Sequence, residues 1–349
     1  MRILQISNYP AWIKVSTGEQ PSHHLWGMHE YVAHYECHGN SYRGYLKNGE
    51  GYVDFLQVTN MSFCARILYI IRLYVLCFKY DIVFDSLCCV TKYLGILFRI
   101  YRPCRLVSIL HHPPFDKILK YTRADAYIFF DEKYKLMAEK TVPAQKNKYY
   151  AINWQPDTHW YATMKEKIGA QKKEYMFIDN GKTFRDHELM TSSIYRLWGG
   201  TKAVLINKQS FIPQNYIEGK NLKYIELESP DDIFLLTYLM RSKCILIPAK
   251  AKGNNRLLGP IGATSFMDAI ALGMPIVCSD NLYFSEDVDK YELGVTYKAG
   301  DEDALLLALK KISENDDFFN KCIANMGKYA QGKDISHYGN QIMKIFHLI

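Results

Sequence analysis

Short apolar runs alternate along the chain with helix-length amphipathic segments, the pattern of parallel strands joined by crossover helices. Arg2–Ser7 reads as the first strand and residues 21–34 as a helix entered from a polar loop. A strand at 53–58, a long helix at 62–79, strands at 81–84 and Arg105–Leu110 around a helix at 90–101, and a strand at 126–130 with a helix at 133–140 follow. A strand at 148–152 closes the series. Around 156–173 the alternation lapses into polar sequence with Lys165, Lys167, Lys172 and Lys173, as at a domain boundary.

The alternation then restarts. Strands are expected at Tyr175–Asp179, 203–206, 222–225, 244–248, 275–278 and Gly294–Tyr297, and helices at 187–197, 231–241, 264–272 and 302–312. Two α/β domains in tandem are the expected architecture, residues 1–160 and 170–334, and 349 residues suffice to give each its own core. No fixed-period repeat, low-complexity tract or heptad pattern is present.

Composition excludes fibrous and extensively disordered chains, with 48% hydrophobic and 23% charged residues. The nine cysteines are odd in number, sit mostly in apolar segments and form no CxxC pair, so free buried thiols of a reducing compartment are expected. The first residues run straight into a strand without a charged leader, and the most apolar stretch, 67–78, is broken by Arg72. It falls short of the ~20 apolar residues that a span needs, so the expectation is a cytoplasmic, non-spanning protein.

Lys and Arg number 43 against 36 Asp and Glu, a balance of +7 that suits a phosphate-bearing partner and is too weak to argue for nucleic acid. Between residues 61 and 105 seven basic residues face two acidic ones, interleaved with Leu, Ile, Tyr and Phe. Basic amphipathic helices of this kind suit the cytoplasmic face of an anionic membrane, and equally suit two core-packed helices with solvated stripes.

Two segments have the makings of an anion site. Gly262, Ala263, Thr264 and Ser265 lead directly into a helix whose free amides and positive end favour a phosphate. Asp268 follows on the same helix face and could accept hydrogen bonds from sugar hydroxyls. The loop after the strand at Tyr175–Asp179 gathers Gly181, Lys182, Thr183 and Arg185. In an open α/β sheet both loops belong to the carboxyl edge, which suggests a diphosphate. No P-loop and no GxGxxG are present. The plain alternatives are a helix capped by Thr264 or Ser265, and a solvated turn. His34 and His38 have i,i+4 spacing that could hold zinc on a helix, but no third ligand is evident and no DxD-like pair stands at a strand end. Neither a metal nor another cofactor is expected.

The run from Ala263 to Asp280, with Asp268, Ala269, Gly273 and Pro275 in register, resembles the donor-binding signature of family-4-type retaining glycosyltransferases of GT-B fold. That fold has two Rossmann-like domains facing each other across a cleft. The resemblance implies a nucleotide-sugar donor whose diphosphate and sugar are held in the second domain by Gly181, Lys182, Thr183, Arg185, Gly262, Ala263, Thr264, Ser265 and Asp268. Arg185 would assist the leaving diphosphate, and His111 or His112 would face the transferred sugar. The first-domain segment 21–28 resembles the family's acceptor-side loop, which points to His23, His24 and Trp26. The implied reaction is hexosyl or N-acetylhexosaminyl transfer to a glycan or lipid-linked acceptor in polysaccharide assembly, with retention and without a metal. Residues 335–349 would cross back to the first domain, and 225–230 would border the base.

Two departures stand out. The family's Glu-x7-Glu pair is reduced to Asp268, with Pro260 at the first position, and the usual Gly-Gly pair of the first loop is missing. A non-catalytic descendant and a nucleotide-sugar epimerase on the same fold are the rival readings.

Overall fold

A computed structural model describes the chain except residues 39–40, 60–61, 114, 198–199, 201, 230 and 252–259, and except the side chains of His38, Ser41 and Phe63. It divides into two units, Met1–Gln155 with Asp334–Ile349, and Pro156–Lys333.

The first unit is built on eight strands: β1 (Arg2–Ser7), β2 (Val32–His38), β3 (Ser41–Leu46), β4 (Tyr52–Gln57), β5 (Ile82–Asp85), β6 (Arg105–Leu110), β7 (Ala126–Phe129) and β8 (Tyr149–Ala151). Their order is β2-β3-β4-β1-β5-β6-β7-β8. From β4 through β8 the pairs are parallel, while β2, β3 and β4 form an antiparallel meander. β5 and β7 are buried over their whole length, which is why they read as unbroken apolar runs.

The sequence expectation failed at 21–34. There is no helix; two single 3-10 turns, Ser22–Leu25 and His29–Tyr31, lead into β2. Trp26 and Gly27 both take left-handed backbone angles, φ 57° and 77°, which a right-handed helix cannot pass through. The expected polar loop before it contains a short helix, Ala11–Ser16. Because His34 lies in β2 beside Glu36 and Tyr45, the helical spacing that would let it share a zinc ion with His38 does not exist.

The Trp26-Gly27 turn is locked against the C-terminal helix Ile335–Leu348. A Cβ on Gly27 would sit 2.4 Å from the Cα of Gly339, backbone against backbone. Gly27→Ala combines that collision with a left-handed angle, and its expected cost is about 2–3 kcal/mol. Denaturant unfolding should show the loss as a lower midpoint at unchanged slope; an unchanged midpoint would mean that this helix is not held there.

The second unit carries a six-stranded, all-parallel sheet: β9 (Tyr175–Asp179), β10 (Ala203–Asn207), β11 (Leu222–Glu226), β12 (Ser242–Ile247), β13 (Ile276–Ser279) and β14 (Gly294–Tyr297). The order is β11-β10-β9-β12-β13-β14, so the chain builds outward from β9 to one side and then to the other. The switch between β9 and β12 is where open sheets of this kind bind ligands. Phe177, Leu205, Leu246 and Val277 pack under Leu305 and Leu309 of the helix Glu302–Glu314.

The lysine-rich stretch at 156–173 is not an irregular linker. It holds the helix Thr158–Ile168, capped by the Asp157 side chain and burying Trp160, Tyr161 and Met164. Its lysines lie in the last turn and beyond, where they hid a short apolar stripe from the pattern. Nor are all the cysteines buried: Cys37 and Cys64 are exposed, and Cys88 and Cys89 are partly so. Among the described residues no helix is long and apolar enough to cross a membrane.

Candidate functional site

In the second unit, β9 delivers Asp179 to the carboxyl edge of the sheet, fully enclosed. The chain turns at Asn180-Gly181, where the Gly181 amide donates to Asp179 Oδ1 at 2.8 Å. At the end of β10, Asn207 Nδ2 donates to the Gly181 carbonyl at 2.8 Å, which fixes the turn against the neighbouring strand. The chain then comes back so that Arg185 bridges to Ala249, just past β12, and Asp186 caps the helix His187–Tyr195.

The Arg185 side chain does not reach into solvent as a free cation; it is 2% exposed. Its Nε lies 3.4 Å from Asp179 Oδ1, and its Nη2 donates to Ser265 Oγ at 3.1 Å. Two glycines make room for it. A Cβ on Gly181 would lie 2.1 Å from Nε, and one on Gly262 would lie 3.4 Å from Nη1. The guanidinium is thus layered between the two loops that the sequence nominated, with two of its five N–H groups committed to Asp179 and Ser265. His187 Nε2 stands 3.2 Å from Asp179 Oδ2 but off the line of a hydrogen bond.

The helix Ala263–Leu272 begins at Gly262 in a left-handed conformation, and among the described residues no side chain caps it. The plain reading of Thr264 or Ser265 as the cap is therefore excluded: Thr264 is exposed, and Ser265 is buried and donates to Asn180 Oδ1 at 2.9 Å. The first unit shows the contrast. There Asp85, wholly buried, accepts from the amides of Cys89, Val90 and Thr91 at 2.7–2.8 Å and fills the start of the helix Thr91–Leu97 with its own carboxylate. In the second unit, at the corresponding place after β12, the Ala263 amide donates to the Pro260 carbonyl, and among the described residues no side chain accepts from the amides of Thr264 and Ser265.

Asp268 lies one turn into the uncapped helix, where its carboxylate accepts from Tyr161 at 2.5 Å and Asn180 at 3.2 Å. Burial raises its pKa to about 6, outweighing both hydrogen bonds. Lys182 is half-buried, and burial followed by repulsion from Lys208 lowers its pKa. Thr183 is exposed. The structure thus joins Gly181, Arg185, Gly262, Ser265 and Asp268 in one network, with Ala263 buried in the first turn of the helix. Pro260 enters that turn and accepts from the Ala263 amide, while residues 252–259 and Pro230 of the expected base edge lie outside the described residues.

Sequence reasoning missed Asp179, Asn207 and Tyr161. A carboxylate closing an apolar strand was a readable signal for Asp179. Tyr161 left none, because its helix lies in the polar, lysine-rich stretch at the expected domain boundary.

The nominated histidines of the first unit converge too. At the carboxyl edge of its sheet, Trp26 stacks on Trp154 and Phe130 with centroids 4.7 and 5.5 Å apart, and His111 meets Trp26 edge-on at 5.1 Å. His23 lies 4.5 Å from His24, and Tyr9 bonds His24 Nδ1 at 3.2 Å. Burial is the first cause that keeps all three rings neutral, His23 well below the usual histidine range, His24 at about 4 and His111 at about 3. The buried His111 Nε2, Trp26 Nε1 and Gln5 Oε1 have no hydrogen-bond partner. His112, by contrast, is exposed.

No family model matches this sequence, and no curated protein matches it. Solved structures do. Anabaena HepE in complex with UDP-glucose is 12% identical with a TM-score of 0.67, over 100% of both chains. Sucrose-phosphate synthase from Thermosynechococcus elongatus is 11% identical with a TM-score of 0.69, over 99% of this chain and 98% of that one. A glycosyltransferase from Rickettsia africae is 11% identical with a TM-score of 0.65, over 99% and 97%. This chain has the fold these proteins share, the GT-B fold that the 263–280 signature led one to expect.

Proposed function

We propose that the chain is a glycosyltransferase that takes a hexosyl or N-acetylhexosaminyl group from a nucleoside-diphosphate sugar held by its second unit and passes it to a glycan or lipid-linked hydroxyl bound by its first. The observation that carries the reading is the meeting of the Arg185 loop with an uncapped helix start at the β9/β12 switch. Guanidinium, lysine and helix amides together can neutralise a departing diphosphate without a metal. With the charge held there, the diphosphate oxygen can take the acceptor proton on the face it leaves, which gives retention. Pro260 supplies no carboxylate, so recognition of the sugar hydroxyls falls to Asp268. His111, neutral and with Nε2 unpartnered, is suited to hydrogen-bond a sugar rather than to donate a proton. Uridine is the first base to try, because the HepE of similar fold binds UDP-glucose.

The test is turnover: UDP- and GDP-sugars are supplied with mixed glycan and polyprenyl-phosphate acceptors, with release of nucleoside diphosphate and product anomer followed by NMR. Diphosphate release with a retained anomer supports the proposal. Epimerised sugar without release would favour the epimerase, and binding without either would favour a non-catalytic descendant.

Gly181→Ala tests the packing of this guanidinium. Its Cβ would lie 2.1 Å from the buried Arg185 Nε, so the displaced guanidinium should both lower the unfolding midpoint, by loosening its pairing with Asp179, and weaken nucleoside-diphosphate binding by about tenfold or more. Calorimetric titration of UDP into parent and variant reads the difference, and equal affinity would remove Arg185 from the binding site.

A further inference from the structure

Among its described side chains, the helix Phe63–Cys77 buries only a narrow stripe, Ile70, Leu73 and Cys77, against the first unit. At about 100° per residue, Ile67, Leu68, Ile71, Val75 and Phe78 form a second arc centred about 135° from that stripe, and they are 47–62% exposed. A helix with apolar residues on both sides is expected to be covered on both. The exposed side is extended by the next helix, Thr91–Leu97, and the turn after it. Phe78 stacks on Tyr101 at 5.8 Å, the Tyr74 hydroxyl donates to the Tyr101 carbonyl at 2.8 Å, and Ile100 is 84% exposed.

Charge decides what covers this surface. Arg72 and Lys79 border the apolar arc on the first helix, and Lys92 and Arg99 lie on the second helix and just after it. Among the described residues no ion pair ties any of the four to a carboxylate: Asp81 is engaged by Arg2 at 2.8 Å, Asp85 is enclosed with the helix amides, and Asp125 is engaged by Arg102. A second copy docking by twofold symmetry would set these cations against themselves. A surface of negative charge over a layer that admits Ile, Val and Phe side chains fits both halves of the pattern.

We propose that the first unit rests on an anionic lipid bilayer through this arc, with Ile67, Leu68, Ile71, Val75 and Phe78 entering the headgroup boundary and Arg72, Lys79, Lys92 and Arg99 facing the phosphates. The inference uses no residue of the donor network, and its test needs no turnover, so it stands or falls apart from the proposed transferase.

The experiment is co-sedimentation of the full chain with vesicles of phosphatidylcholine alone or with about 30 mol% phosphatidylglycerol, at low and at about 0.5 M salt. The chain should pellet with the anionic vesicles only, and less so at high salt. Arg72→Gln with Lys79→Gln should weaken binding about ten- to thirty-fold. Ile71→Glu with Val75→Glu should abolish it, with an unchanged melting temperature because both positions face outward. Three results would overturn the proposal: no pelleting with anionic vesicles, equal pelleting of the Ile71→Glu/Val75→Glu variant, or a parent dimer in light scattering that this variant converts to monomer.

Discussion

Arg185→Ala should cost the second unit about 3–5 kcal/mol, because it strands Asp179 without its guanidinium in a place with no access to water. The Asp179 side chain is 0% exposed; its Oδ1 keeps the Gly181 amide, but Oδ2 has no hydrogen bond. A charge left in that position is far costlier than the pair it belonged to was favourable. The same variant removes the cation placed nearest the uncapped helix start, so nucleotide binding should disappear with it. A second substitution separates the two losses. Asp179→Asn in the Arg185→Ala background relieves the stranded charge and should recover most of the stability, while nucleotide binding stays absent. Urea unfolding of the two single variants and the double variant forms a cycle that measures the coupling. If Arg185→Ala melts with the parent, or the double variant is no better than the single, the pair does not support the site as described.

Acid should unfold the first unit preferentially. His23, His24 and His111 are kept neutral by burial, while in the unfolded chain each would titrate near 6.5. Folded values below the unfolded one mean that the unfolded state takes up more protons on acidification. The stability is therefore complete above about pH 6.5 and drains away toward the folded values, about 4 for His24 and about 3 for His111. Each ring costs about 1.4 kcal/mol per pH unit in that window. Between pH 7.5 and 5 the three together should remove about 4–5 kcal/mol, with His24 counted at less because it is partly exposed. Asp268 in the second unit has the opposite sign. Its pKa of about 6 lies above the unfolded value, so its penalty eases as the pH falls through 6. Hydrogen exchange at pH 7.5 and 5 should therefore show loss of protection in peptides of 1–155 and little in those of 156–333. His111→Gln should flatten the pH slope of the first unit by about a third. Equal protection at both values would show that these rings are solvated.

These effects trace to how differently parts of the molecule are written in the sequence. Strands such as β1, β6 and β9 were legible because their apolar runs are bounded by turn residues and buried over nearly their whole length. The helix Ala263–Leu272 was legible because small residues open it and Gly273 closes it. β2 and β3 were not legible: their Tyr, His and Cys residues lie at the sheet margin and do not alternate cleanly. The turn at Trp26 was hidden because a tryptophan gives no local sign of a left-handed angle; the stacking on Trp154 and Phe130 and the pressure of Gly339 on Gly27 hold it there. The donor loops were legible as separate segments, but the burial of Arg185 between Gly181 and Gly262 was not. That arrangement depends on β10, β9 and β12 bringing positions about 80 residues apart within one hydrogen bond.

Thermal denaturation of the parent with and without UDP, GDP and ADP, in the presence of a chelator, tests the central claim most directly. Binding at the Arg185 and Gly262–Ser265 network predicts that one diphosphate at about a hundred times its dissociation constant raises the melting temperature by about 5–10 °C, with or without chelator. The Arg185→Ala/Asp179→Asn variant should show no rise with the same ligand. No shift by any of the three diphosphates, or an equal shift in the double variant, would contradict a nucleotide site at this place in the second unit.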